Sequence, residues 1–290
     1  MSNEGFFAIV YGMPYPKVSV LITTYERPRF IDRAIGSVLQ QTFTDWEIVV
    51  VDDSASDATK KAVGDFLKKD NRIRYFHREK KGTIAQASNF GLREARGEYI
   101  AILDDDDFWS DESKLGEQVS FLDSHREYVG CGGGFVTIDE HGKETTKILK
   151  PETNHAIRRH ALMANPMANS TTLFRLSAAR HVGFYDETLP QFADWDFWLK
   201  MGLSGKLHNV SKYYASYMMW QEGASFAHQK VNARSALRIV RRYRGKYPGF
   251  ITAYMMACLY FCYAHLPEAI KKITNPILSR AKKFLFGVRL

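Results

Sequence analysis

Residues 104–107 are four consecutive aspartates, Asp104, Asp105, Asp106 and Asp107, placed directly after the apolar run Tyr-Ile-Ala-Ile-Leu at 99–103. Four like charges this close repel one another. A buried strand that delivers carboxylates to the crevice beyond its carboxyl end is a natural seat for a divalent cation. Phe108 and Trp109 bound the run, and such large apolar side chains would be wasted on a solvated turn. Two further acidic stretches follow apolar segments or open helical ones. Asp52-Asp53-Ser54-Ala55-Ser56-Asp57 follows the apolar stretch at 46–51, and Asp194 and Asp196 sit in Ala-Asp-Trp-Asp-Phe-Trp, where acids suit the positive end of a helix dipole.

The elements that must carry these acids alternate. Residues 17–24, rich in β-branched residues and preceded by Pro14 and Pro16, predict a first buried strand. Phe30, Ile31, Ala34, Ile35, Val38 and Leu39 recur at helical spacing, and 46–51 predicts a second strand. A helix bearing Ala62, Val63, Phe66 and Leu67 comes next, then a strand at 72–77, a helix over 83–95 closed by Gly97, and a strand at 99–103. Strand and helix at this rhythm predict right-handed βαβ units and a mainly parallel, Rossmann-like sheet flanked by helices. Beyond Trp109 the pattern is mixed: a helix at 115–122, strands at 132–138 and 170–174, and a helix starting at 194.

The net charge of +8 hides an asymmetry. Residues 230–290 hold 13 Lys/Arg and one acid, Glu268, a net of +12, which leaves residues 1–229 at −4. The chain therefore divides into a body, 1–229, and a basic helical tail, 230–290, whose charge suits an anionic surface. Residues 250–264 lack formal charge but fall short of the roughly 20 apolar residues that span a bilayer, so they predict a buried helix or one lying in the membrane interface. Three cysteines without a CxxC pair, and an N-terminus without a secretory signal pattern, point to the cytoplasm. The aromatic and basic residues of the tail form no nucleic-acid readout motif.

Four pieces stand in order: a strand ending Thr23-Thr24-Tyr25, a strand ending VVVDDSASD, the segment GLREARGEYIAILDDDDFW, and ADWDFWLKM. Together they resemble the inverting family-2 glycosyltransferases of the GT-A fold, over roughly residues 16–225. The resemblance implies that Asp104-Asp105-Asp106 is a DxD motif, with Asp106 the ligand of Mn2+ or Mg2+ and Asp104 or Asp105 near the donor ribose and diphosphate. It implies that Thr23 and Tyr25 frame a uracil, that Asp53 accepts a hydrogen bond from the base, and that Asp194 is the catalytic base. The partners implied are a UDP-sugar and a glycan or polyprenyl-diphosphate-linked acceptor in surface-polysaccharide synthesis. The tail would then hold the enzyme at the inner face of the bacterial cytoplasmic membrane.

The chain also departs from the family pattern. Ala193 stands where relatives often carry Glu, and Asp196 offers a second carboxylate beside Asp194. Ala87-Ser88-Asn89 lacks the arginine of a common Ala-Arg-Asn, so Lys80 or Arg78 is the cation left to meet the diphosphate. Tyr217-Met218-Met219-Trp220 replaces a Tyr-Arg-x-His segment, leaving His228 as the substitute histidine. Two other readings stand beside the transferase: a nucleotidyltransferase, for which there is no glycine-rich phosphate loop, and a non-catalytic nucleotide- or glycan-binding module.

Overall fold

The computed structural model describes residues 15–78, 82–219, 228–267 and 270–271. Val18, Val20, Leu21 and Ile22 of β1 (Val18–Thr24) and Ile48, Val49, Val50 and Val51 of β2 (Trp46–Asp52) are all buried. Burial without alternation is what parallel strands covered on both faces require. Helices α1 (Pro28–Leu39), α2 (Ala58–Lys69) and α3 (Ile84–Glu94) carry the chain between β1, β2, β3 (Ile73–His77) and β4 (Tyr99–Ile102). The four strands pair in parallel in the order β3-β2-β1-β4. Pro28 opens α1 with its φ already set for a helix, and Ile31, Ala34, Ile35 and Val38 bury its inner face.

Gly97 does not cap α3. The helix ends at Ala95 in an extended conformation, and Gly97 lies against β1, where a Cβ would come within 2.5 Å of the Ser19 nitrogen. Its N–H donates to Ser19 Oγ at 2.8 Å, so close strand approach requires the glycine.

Past β4 the sheet is mixed. In chain order come β5 (Phe108–Trp109), α4 (Lys114–Ser124), β6 (Tyr128–Ile138), β7 (Glu144–Ile148) and α5 (Asn154–His160). Then follow a 3-10 turn (Asn169–Thr171), β8 (Leu173–Arg175), α6 (Leu176–His181), α7 (Ala193–Ser204), β9 (Lys206–Met218), α8 (Gln229–Arg242) and α9 (Phe250–Ala264). The sheet order is β3-β2-β1-β4-β8-β6-β9-β5, with β7 on β6; β8 runs antiparallel to β4 and β6, and β9 parallel to β6. The sheet expected to be mainly parallel is parallel in its first four strands and in the β6–β9 pair, and its remaining pairings are antiparallel.

The strand expected at 170–174 begins late. Thr171 Oγ1 donates to the Ala168 carbonyl at 2.7 Å and Thr172 Oγ1 to the Asn169 carbonyl at 2.7 Å, and these local bonds hold a tight turn where a ladder would otherwise run. In β6, a Cβ on Gly133 would lie 2.5 Å from the Tyr214 ring, so the bare backbone is what admits that aromatic.

Helices α8 and α9 dock on the body through one apolar cluster that joins Leu189, Trp195 and Leu199 to Ala236, Ile239, Val240, Tyr243, Ala253 and Ala257. Among the described residues no helix is long and apolar enough to cross a membrane.

Candidate active site

The carboxyl ends of β1, β2 and β4 share one edge of the parallel half-sheet. The loops after β1 and β2 are laced there: the Asp53 N–H donates to the Thr24 carbonyl at 3.1 Å, the Glu26 N–H to Ser54 Oγ at 2.7 Å, and the Ala55 N–H to the Glu26 carboxylate at 2.7 Å. These bonds hold Glu26 at φ 53°, a left-handed conformation that costs energy in a non-glycine residue and tends to cluster at ligand sites. Thr23 is half-buried, Tyr25 is exposed, and Asp53 is buried with Arg78 Nε 3.5 Å from its carboxylate. Arg78 also donates to the Gln86 carbonyl at 2.9 Å, which fixes its cation beside Asp53. Lys80, the other candidate for a diphosphate contact, lies outside the described residues, as does Trp220.

The four aspartates part company. Asp105 is fully buried and its carboxylate is paired with Arg27 Nη2 at 2.6 Å, while Arg27 Nη1 meets Asp106 Oδ2 at 2.8 Å. Asp107 is buried and accepts from Ser170 Oγ at 2.6 Å and from the Met218 N–H at 3.3 Å, which makes it an internal tie between β9 and the 3-10 turn. Asp104 accepts from Asn169 Nδ2 at 3.0 Å. Its neighbour Asn169 Oδ1 is buried without a hydrogen-bond partner, an acceptor left for a ligand donor. Asp104 and Asp106 are half-buried, whereas Asp105 is fully buried and is held by Arg27 from beneath the loop.

The electrostatics fit an anion-rich seat. Burial, then the charges of Asp106 and Asp194, push the Asp104 carboxyl up to about 6. Burial pushes Asp105 up to about 7 against the pull of Arg27, and drives Asp107 well above the usual carboxylate range. Asp194, ninety residues away in sequence, thus belongs to the same field as Asp104.

Asp194 stands in the first turn of α7, two residues after the helix cap Phe192 at φ 63°. Asn165 Nδ2 donates to Asp194 Oδ2 at 2.7 Å. Burial raises the Asp194 carboxyl, and the Trp195 backbone, Asn165 and the Lys150 charge pull it back down. Lys150 Nζ itself donates to the Asn165 carbonyl at 3.0 Å, so one residue links cation and carboxylate. Asp196 is taken: fully buried, it accepts from Arg242 Nη1 at 2.7 Å and the Tyr243 hydroxyl at 3.0 Å and so fastens α8 to α7. His228 is exposed at the start of α8. Arg27, Asn165, Asn169 and Lys150 were not singled out by the sequence; Arg27 lies in the Tyr-Glu-Arg-Pro break after β1, and nothing in spacing marks the other three.

A divalent cation fits this edge in one particular way. Among the described residues no three His, Cys, Asp or Glu side chains are grouped to hold an ion. The Arg27 guanidinium already supplies positive charge to Asp106. One or two half-buried carboxylates suit an Mg2+-like ion most of whose ligands are water and oxygens from outside the protein.

Residues 19–183 match the family model described as Glycosyl transferase family 2. The amylovoran biosynthesis glycosyltransferase AmsE of Erwinia amylovora is 30% identical over 270 residues, covering 92% of this chain and 97% of that protein. EpsE of Bacillus subtilis is 31% identical over 190 residues, and an uncharacterized glycosyltransferase of Rickettsia felis 31% identical over 200; the chain spans 66% and 32% of their lengths. Among solved structures, the mannosyltransferase PcManGT of Pyrobaculum calidifontis in complex with GDP-Man and Mn2+ superposes with a TM-score of 0.63 at 18% identity, over 95% of this chain and 84% of that one. Residues 1–349 of S. aureus TarS in complex with UDP-GlcNAc give 0.61 at 22%, over 94% and 76%. These two share the fold.

Proposed function

Because the chain belongs to glycosyl transferase family 2, we propose that it moves a sugar from a UDP-linked donor to a hydroxyl of a glycan or lipid-linked acceptor, with inversion at the anomeric carbon. The observation that carries this reading is the placement of two separate carboxylate stations, Asp104 with Asp106 at the strand end and Asp194 at a helix start, within one electrostatic field.

Each station has a distinct task. Thr23, Tyr25 and Asp53 line the laced edge of β1 and β2 and receive the base, with Tyr25 exposed enough to stack on it. Asp104 and the unpartnered Asn169 Oδ1 accept from ribose hydroxyls. Asp106 would hold Mn2+ or Mg2+, which when bound would supply positive charge to a departing diphosphate. Arg27 and Arg78 add positive charge at the same edge.

Asp194 takes the proton of the acceptor hydroxyl as its oxygen bonds to the anomeric carbon. The bond from that carbon to the diphosphate breaks, and its electron pair leaves with the nucleotide. Attack from the opposite face inverts the centre through an oxocarbenium-like transition state, so an α-linked donor gives a β-linked product. Asn165 and Lys150 favour the ionised form of Asp194 against its burial, and Asn165 aims it.

Surface-polysaccharide synthesis is the setting, supported by the name of AmsE, the relative that the chain matches almost end to end. The reaction runs at the inner face of the cytoplasmic membrane. The test is calorimetry of UDP with and without Mn2+: binding strengthened by the ion is expected, and no binding in either condition overturns the reading.

A further inference from the structure

Helix α9 carries no formal charge, and of its 15 residues only Ala253, Ala257 and Ala264 are buried. Its outward side is the unusual one. Ile251, Met255 and Leu259, one helical turn apart, are 74%, 60% and 68% exposed. A helix that is apolar all round is normally covered all round. Beside this stripe, Arg234, Arg238 and Arg241 of α8 together with Leu237 and Phe261 line a groove of about 550 Å3. All three arginines are exposed, Arg241 is held on the Tyr254 hydroxyl at 2.7 Å, and residues 229–264 contain no acid.

We propose that the α8–α9 face seats on an anionic bilayer surface, with Ile251, Met255 and Leu259 entering the acyl boundary and Arg234, Arg238 and Arg241 binding lipid phosphates. The proposal deepens the functional reading above, since it puts the site where a lipid-linked acceptor lies, and it rests on that reading only for its purpose. Charge complementarity selects the occupant. A second copy docked through the same stripe would bring two arginine rims face to face, with no acid on either helix to relieve them. A nucleic acid would match the arginines but leave the apolar stripe in water. Fifteen residues are too few to span a bilayer, so the helix lies along it.

Flotation of the full chain with vesicles tests this. Binding is expected to phosphatidylcholine vesicles that contain phosphatidylglycerol and to be far weaker to phosphatidylcholine alone. Replacing Arg234, Arg238 and Arg241 together by serine should weaken it roughly a hundredfold. The triple variant Ile251→Ser, Met255→Ser, Leu259→Ser should weaken it roughly tenfold or more. Both variants change exposed side chains, and unchanged melting curves will show that they fold. The proposal is overturned if the parent ignores anionic vesicles, if both variants bind them as the parent does, or if the parent is a dimer that the stripe variant dissolves. UDP binding by the same preparations reports on the transferase reading separately, so the failure of one is distinguishable from the failure of the other.

Discussion

Asn165 donates its side-chain N–H to Asp194 Oδ2 at 2.7 Å while its own carbonyl accepts from Lys150, so the proposed base is aimed and charged by residues 29 and 44 positions upstream of it. The sign of the effect follows from the two states of the carboxyl. Burial favours the neutral acid, and the Asn165 bond and the Lys150 charge favour the ionised base. Lys150→Met and Asn165→Ala should each move the acid limb of kcat/KM to higher pH, lowering activity most below neutrality. A full pH profile identical to the parent's would remove both residues from the mechanism.

Arg27 occupies the charge space that a donor-bound cation would share. Arg27→Ala leaves the buried Asp105 without its ion pair, and the fold should lose on the order of 1–3 kcal/mol at neutral pH. The part of the UDP-induced melting shift that Mn2+ adds should then be larger in the variant than in the parent, because the guanidinium no longer competes for Asp106. Equal shifts would show that Arg27 and the ion do not share Asp106.

Asp196 and Asp194 are two residues apart and should behave oppositely. Asp196→Ala removes a buried carboxylate from Arg242 and Tyr243 and should cost roughly 2–4 kcal/mol of stability, measured by urea unfolding, with turnover per folded molecule largely kept. A stable but inactive Asp196→Ala would move the base assignment.

Lys114 is a fully buried lysine, over the Trp109 ring at 4.0 Å and donating to Gln118 Oε1 at 2.8 Å. Burial lowers its pKa to about 7. Between that value and the ordinary lysine range the unfolded chain holds a proton that the folded chain lacks, so this residue makes stability rise with pH across that window. Lys114→Met should be the more stable protein near pH 7 relative to its parent, and that advantage should shrink by pH 9. A parent-to-variant difference that does not change with pH contradicts a neutral Lys114 in the fold.

The parallel half of the sheet was legible because its signal is local: β-branched runs at β1 and β2, an apolar run into Asp104, and helical spacing between them. The remainder depended on contacts far apart in sequence. β9 carries Lys206 and Lys212, which break an apolar pattern, and they lie near Glu127 and Glu117 only once the chain has folded. The aspartate run was legible as a cluster of carboxylates at a strand end, but the separate partners of its members were not. Arg27 holds Asp105 and Ser170 holds Asp107, partners that no spacing rule supplies. Asp194 stood out by its place at a helix start, whereas Asn165 and Lys150, which tune it, carry no local mark.

Asp194 is proposed to act as the base for transfer from a nucleotide-activated sugar bound at the aspartate run. A panel of nucleotide-sugars, assayed for nucleotide release with a lipid-linked acceptor extract, tests it on the parent and on Asp194→Asn. Release from a UDP-sugar is expected of the parent, and in Asp194→Asn a loss of turnover of roughly a hundredfold or more with UDP binding unchanged. Turnover by Asp194→Asn equal to the parent's, at equal donor binding, would contradict it.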